Sequence, residues 1–185
     1  MRARVKLWQI IKMAMMQSGE DIEDTEEYRE RMIAYINEGY RRMMEKFRPT
    51  KTATLYADGG EIDLAGIRDM LEIDSVRRNE TGREERYEPK ADGKIRVSSD
   101  SAYDVEYTYE PKELEKDTDE PELPQGAHMA LADYATWRYY GNGNIAKQQR
   151  GQFYYQRFMM EMDRLTPQKQ RGGGHRNFHG LFECT

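Results

Sequence analysis

The stretch LPQGAHMALADYATWRYYGNGNIAKQQRGQFYYQRFMMEMDRL, residues 123–165, constrains this chain most. It opens beside a proline, runs apolar at helical spacing, breaks at Gly141-Asn142-Gly143 and turns helical again. Two helices joined by so short a break must fold back on each other as a hairpin. In the first, Ala127, Leu131, Tyr134 and Arg138 fall on one line with Ala130 and Trp137 beside it. In the second, Tyr155, Phe158, Met162 and Leu165 make the apolar stripe.

Two further helices are expected ahead of the hairpin. Residues 4–17 carry Val5, Trp8, Ile11 and Met15 at spacings of three and four, widened by Leu7, Ile10 and Ala14, until Ser18-Gly19 ends the run. Residues 24–47 open on a capping-box pattern, Asp24 with Glu27 three residues on. They continue as one stripe of Tyr28, Met32, Ile36, Tyr40, Met43 and Phe47, and Pro49 stops them.

The period then changes. Residues 51–110 alternate or run β-like between turn signals. TATLYA (52–57), Asp58-Gly59-Gly60 and EIDL (61–64) read as a hairpin. MLEIDSVRRN (70–79), EERYEP (84–89) and KIRVSS (94–99) follow, with turns at Glu80-Thr81-Gly82 and Asp92-Gly93. In AYDVEYTYE (102–110), Tyr103, Val105, Tyr107 and Tyr109 share one face and the charged residues share the other. One packed and one wet face is the mark of an antiparallel sheet. Residues 111–122, PKELEKDTDEPE, read as an exposed charged linker, and 166–185 as a flexible, glycine-rich C-terminal arm. The expected fold class is α+β: a bundle of about four helices (4–17, 24–47, 125–140, 144–165) with an inserted small antiparallel β-domain. The whole of 1–165 is read as a single domain.

Composition narrows the function classes. The hydrophobic fraction is only 37%, so the 13 tyrosines and 12 methionines must supply much of the core. The formal net charge of −5 lacks the basic excess of a protein that wraps nucleic acid. The aromatic strand 102–110 alternates its tyrosines with Asp104, Glu106 and Glu110, the wrong sign for a phosphate-lined stacking platform. No apolar run approaches a membrane span, and no secretory leader is expected. One cysteine, Cys184, permits no intrachain disulfide, and a reducing compartment is expected.

No catalytic constellation emerges. Gly172-Gly173-Gly174 lacks the lysine and hydroxyl of a phosphate loop. His175, His179 and Cys184 lack a fourth zinc ligand and a scaffold. His128 reads as a capping or surface residue. The chain is expected to be a non-enzyme without metal or cofactor.

The order of elements, with the phrases INEGYRRM and LPQGAHMALADYATWRYYGNGN and the phenylalanine that follows, resembles the head–tail connector (adaptor) proteins of tailed bacteriophages. The resemblance covers about residues 24–165. It implies a virion structural protein of the neck, assembled in the host cytoplasm. It further implies a homo-oligomeric ring, usually twelvefold, beneath the portal, which extends the DNA channel and joins capsid to tail. The partners implied are the portal protein, a downstream connector or tail protein, and genomic DNA passing the lumen without specific binding; no membrane is involved. On this resemblance Tyr28, Met32, Ile36, Tyr40, Met43, Phe47, Leu131, Tyr134, Tyr155 and Phe158 are core or subunit contacts. The arm becomes the candidate for portal docking, with Phe178, Leu181 and Phe182 as anchors and Arg171 and Arg176 as its charges. The tips near Glu80–Gly82 and Asp92-Gly93 would face the tail side or a neighbour. Another neck or tail-completion component, a nucleic-acid-binding module and a small hydrolase are the alternatives.

Overall fold

The computed structural model describes residues 5–19 and 26–166. It divides into a helical unit and a β unit, the latter running from Arg48 to Glu110. The architecture is α+β, with four helices and two small antiparallel sheets.

The helical unit contains α1 (Leu7–Ser18), α2 (Glu26–Phe47), α3 (His128–Gly141) and α4 (Ile145–Arg164). A short 3-10 turn, Gln125–Ala127, leads into α3. Helix α3 is the hub and packs against the other three. Its small residues Ala130, Ala132 and Ala135 let neighbours approach, and Leu131 and Tyr134 fill the centre. Gly39 on α2 sits against the Tyr134 ring: a Cβ there would lie 2.8 Å from Tyr134 Cγ, too close for any side chain. The seam between α3 and α4 is aromatic. Tyr134 meets Phe158 at 4.8 Å between ring centres, and Trp137 meets Tyr155 at 4.4 Å. The turn between them ends on Asn144, whose side chain accepts from Lys147 N at 3.0 Å as the N-cap of α4.

Helix α1 is rotated from the expected stripe. It buries Leu7, Ile10, Ile11, Ala14 and Met15 and leaves Trp8 45% exposed. A short helix, apolar on most sides, has more than one face it can bury, and its neighbours choose. Its first free N–H groups are met by another segment: Leu7 N donates to Asp119 O and Trp8 N to Asp117 O. The region expected as an exposed linker is therefore fastened down. Leu114 and Leu123 are buried. Asn37 donates to Leu114 O and accepts from Leu114 N, both at 2.9 Å, and Glu122 N donates to the Tyr40 hydroxyl. Charged side chains still fill its surface, which is why the sequence reads as solvated.

The β unit has six strands: β1 (Thr50–Tyr56), β2 (Glu61–Asp63), β3 (Met70–Arg78), β4 (Glu88–Pro89), β5 (Lys94–Arg96) and β6 (Ala102–Tyr109). One sheet has the order β1-β6-β3, the other β2-β5-β4, all antiparallel. Both contribute to one core, Val76, Tyr103 and Val105 from the first, Ile62 and Ile95 from the second. The hairpin expected between 52–57 and 61–64 closes only through a bridge of Asp58 with Glu61. Gly59 and Gly60 take positive φ, as the turn chemistry demands, but β1 then pairs with β6 and β2 with β5. The longest alternating strand, β6, takes the centre because both of its edges can be used. Its face of Tyr103, Val105, Tyr107 and Tyr109 is buried as expected.

Candidate assembly surfaces

The residues singled out by the sequence lie in three places. Met32, Ile36, Tyr40, Met43, Leu131, Tyr134 and Phe158 lie in the core of the helical unit. Tyr28, Phe47 and Tyr155 are half-buried against it and keep surface to offer a neighbour. The arm residues Arg171, Arg176, Phe178, Leu181 and Phe182 lie outside the described residues.

A partly buried polar network joins the C-terminus of α1 to α3 and to the middle of α4. Gln17 donates to Asp133 at 3.0 Å and accepts from Thr136 at 2.8 Å. Arg157 approaches the second oxygen of Asp133 at 3.3 Å. The Tyr140 and Tyr154 hydroxyls donate to the Gln17 carbonyl, which α1 leaves open at its C-terminus. Burial pushes the Asp133 carboxyl up to about 6, and the Arg157 charge and the Gln17 bond offset part of that. Tyr40 is likewise pushed up to about 12 by burial.

His128, read from the sequence as a capping or surface residue, is instead buried, with its Nε2 at 2.9 Å from Leu123 O. It is the one histidine among the described residues and touches no nucleophile there. Among the described residues no three His, Cys, Asp or Glu side chains gather where a metal could be held, and no helix is long and apolar enough to cross a membrane. The outer face of the β1-β6-β3 sheet is a ladder of polar bonds. Thr54 and Asn79 both donate to Asp104 and hold its carboxyl below the usual range, while Ser75 donates to Glu106. These groups satisfy one another, and nothing in them resembles a reaction centre.

The surface that sequence reasoning missed is on α4. Only Gly151 and Phe158 of this helix are buried. Ile145, Phe153, Met159 and Met160 are exposed, Ile145 by 74%. Gln149, Gln152 and Gln156 fill the same outward side. A signal was available: residues 145–160 contain Lys147, Arg150 and Arg157 but no carboxylate.

The described residues form a packed scaffold with apolar side chains exposed on α4. The profile of the SU10 adaptor protein family matches residues 2–177. The chain belongs to the SU10 adaptor protein family. That is a family of phage head–tail adaptors, in agreement with the resemblance read from the helical phrases. The family span is wider than that resemblance: α1 and much of the region after Leu165 fall inside it. No curated protein matches this adaptor. Membership makes it a structural protein of a phage particle, associated with the neck.

Proposed function

We propose that this chain forms a ring beneath the portal of the filled phage head, extends the DNA channel and receives the tail. The reading is of a structural protein that turns over no substrate. The observation that carries it is the family match, which runs through α1, α2, the β unit and both helices of the hairpin. Three features of the chain support it. The acidic balance lets DNA slide through a lumen without sticking. The half-buried Tyr28, Phe47 and Tyr155 suit interfaces that are formed from folded subunits. The region after Leu165, with Phe178, Leu181 and Phe182, offers anchors for the portal, and repetition around a ring makes weak anchors strong. The 1–165 region acts as the connector body.

The test is a phage lacking this gene. We expect DNA-filled heads without tails, and recovery of infectious particles when the purified chain is added. Tailed, infectious particles formed without it overturn the reading. Removing residues 166–185 should abolish binding to purified portal, and unchanged binding removes the docking role from that segment. Another neck or tail-completion component is the second reading, favoured if the chain binds tail-side proteins but not the portal. A salt-sensitive shift of labelled DNA would favour a nucleic-acid-binding module over both.

A further inference from the structure

Strand β1 is the bare edge of its sheet. Successive residues of an antiparallel strand turn their N–H and C=O alternately toward the partner and away from it. Ala57 N donates to Ser101 O, one step beyond the Tyr56–Ala102 pair. Leu55, Ala53 and Lys51 therefore bond to β6, and Thr52, Thr54 and Tyr56 aim both backbone groups outward. The far side of β6 agrees, since Asn79 N donates to Ala102 O and Glu110 N to Asp69 O. No backbone bond among the described residues reaches the outward groups of Thr52, Thr54 or Tyr56.

The opposite edge is closed. On β3 the outward groups of Val76 and Arg78 are met by the segment that follows: Glu85 N donates to Val76 O and Arg78 N to Arg83 O. Two register shifts also interrupt the β3 ladder. By contrast, β1 has none of the usual guards of an edge, which are bulges, prolines and free lysines. Its register with β6 is unbroken over seven residues. Its one lysine, Lys51, falls on the face of Tyr107 and is held 2.7 Å from Asp69 and over the Tyr109 ring. Open donors and acceptors at every second residue are a template for an extended strand.

We propose that residues 176–184 of the same chain seat on this edge as a fourth strand. Residues 167–185 are the longest stretch outside the described residues. Within it Phe178, Gly180, Phe182 and Cys184 alternate with Asn177, His179, Leu181 and Glu183, the period of a strand. With the phenylalanines on the face of Tyr103 and Val105, they continue the β core past the half-buried Ala53 and Leu55. Leu181 then falls on the side of the exposed Tyr56. Residues 167–175, with three glycines, are a tether of up to about 30 Å. Tethering raises the local concentration of the strand far above that of a free one. The inference goes beyond the adaptor reading and does not depend on it. For an adaptor it means that the arm is already seated when the portal competes for it.

Amide hydrogen exchange in the full chain reads the alternation directly. Thr52, Thr54 and Tyr56 should exchange at least about 10-fold more slowly in the parent than in the variant Phe178→Asp with Phe182→Asp, whose sites lie outside the described residues. Ala53 and Leu55, bonded to β6, should be slow in both, which checks that the β unit is intact. Thr54→Pro removes one outward N–H and leaves the β6 ladder whole. A nitroxide on Cys184, the single cysteine, should broaden the β1 amide resonances of the parent and lose that effect in Thr54→Pro. Three results overturn the proposal. The first is unprotected Thr52, Thr54 and Tyr56 amides in the parent. The second is protection unchanged in the phenylalanine variant. The third is broadening that vanishes on dilution with chain that carries no nitroxide, which would place the strand in a second copy. Thr54→Pro leaves the arm itself unaltered, so portal binding by that variant reports on the adaptor reading apart from this contact.

Discussion

Asp133 is the residue whose chemistry is most visible in stability. It is buried between Gln17 and Arg157, and its carboxyl is pushed up to about 6 from the ordinary range near 3.8. A raised value means that the folded state binds the proton more tightly than the unfolded chain does. The stabilisation from protonating Asp133 is therefore complete below the unfolded value and is lost as pH rises through 6. Lowering pH from 7 to 5 should raise the unfolding free energy of the helical unit by about 1 kcal/mol through this group. Urea titrations at the two pH values measure it, and Asp133→Asn should remove the increment. The half-buried carboxylates of Glu61, Glu85, Asp104 and Asp119 act in the opposite sense. Their values are depressed, by bonds from Lys90, Ser98, Thr54 and the Lys116 backbone respectively, so their contribution is lost only at more acid pH. None of this was legible in the sequence. An aspartate in an apolar helix looks like a surface residue until the helix is known to be covered on nearly every side. Gly39 is similar: only the Tyr134 ring explains why the stripe of α2 needs a gap there.

At the scale of elements, legibility tracked how local the determining interaction is. Helix α2 was readable because its stripe from Tyr28 to Phe47 is a property of one segment. The alternation of β6 was readable for the same reason. The β1–β2 hairpin was misjudged because Asp58-Gly59-Gly60 specifies a turn, not the partners of the strands that leave it; those depend on β6, some fifty residues along in the register Thr54–Asp104. The 111–122 segment differs from its expectation because what holds it is remote in sequence: the Asn37 amide, the Tyr40 hydroxyl and the open N–H groups at the start of α1. Asn37→Ala would leave both polar groups of Leu114 buried without their partner, at a cost of about 2–4 kcal/mol. Denaturant unfolding should show that loss together with early proteolysis inside 111–122. A small change in stability, with the segment still protected, would mean that Leu114 and Leu123 hold it by packing alone. The outer side of α4 escaped notice because exposed apolar residues and core residues look alike in a one-dimensional pattern.

At the scale of the whole molecule, the helical unit is assembled from two separate stretches of chain, and the β unit is a single stretch set between them. The β unit enters and leaves through neighbouring strands: Thr50 is the register partner of Thr108. It also has its own core of Ile62, Val76, Ile95, Tyr103 and Val105. Residues 48–110 expressed alone should therefore fold, as read by dispersed amide resonances and a cooperative melt. A disordered fragment would show that the unit needs the helical body to form. The pairing of entry with exit has an evolutionary consequence as well. A segment whose two ends already lie side by side can be shortened, enlarged or exchanged between lineages while the body that carries it keeps its own packing.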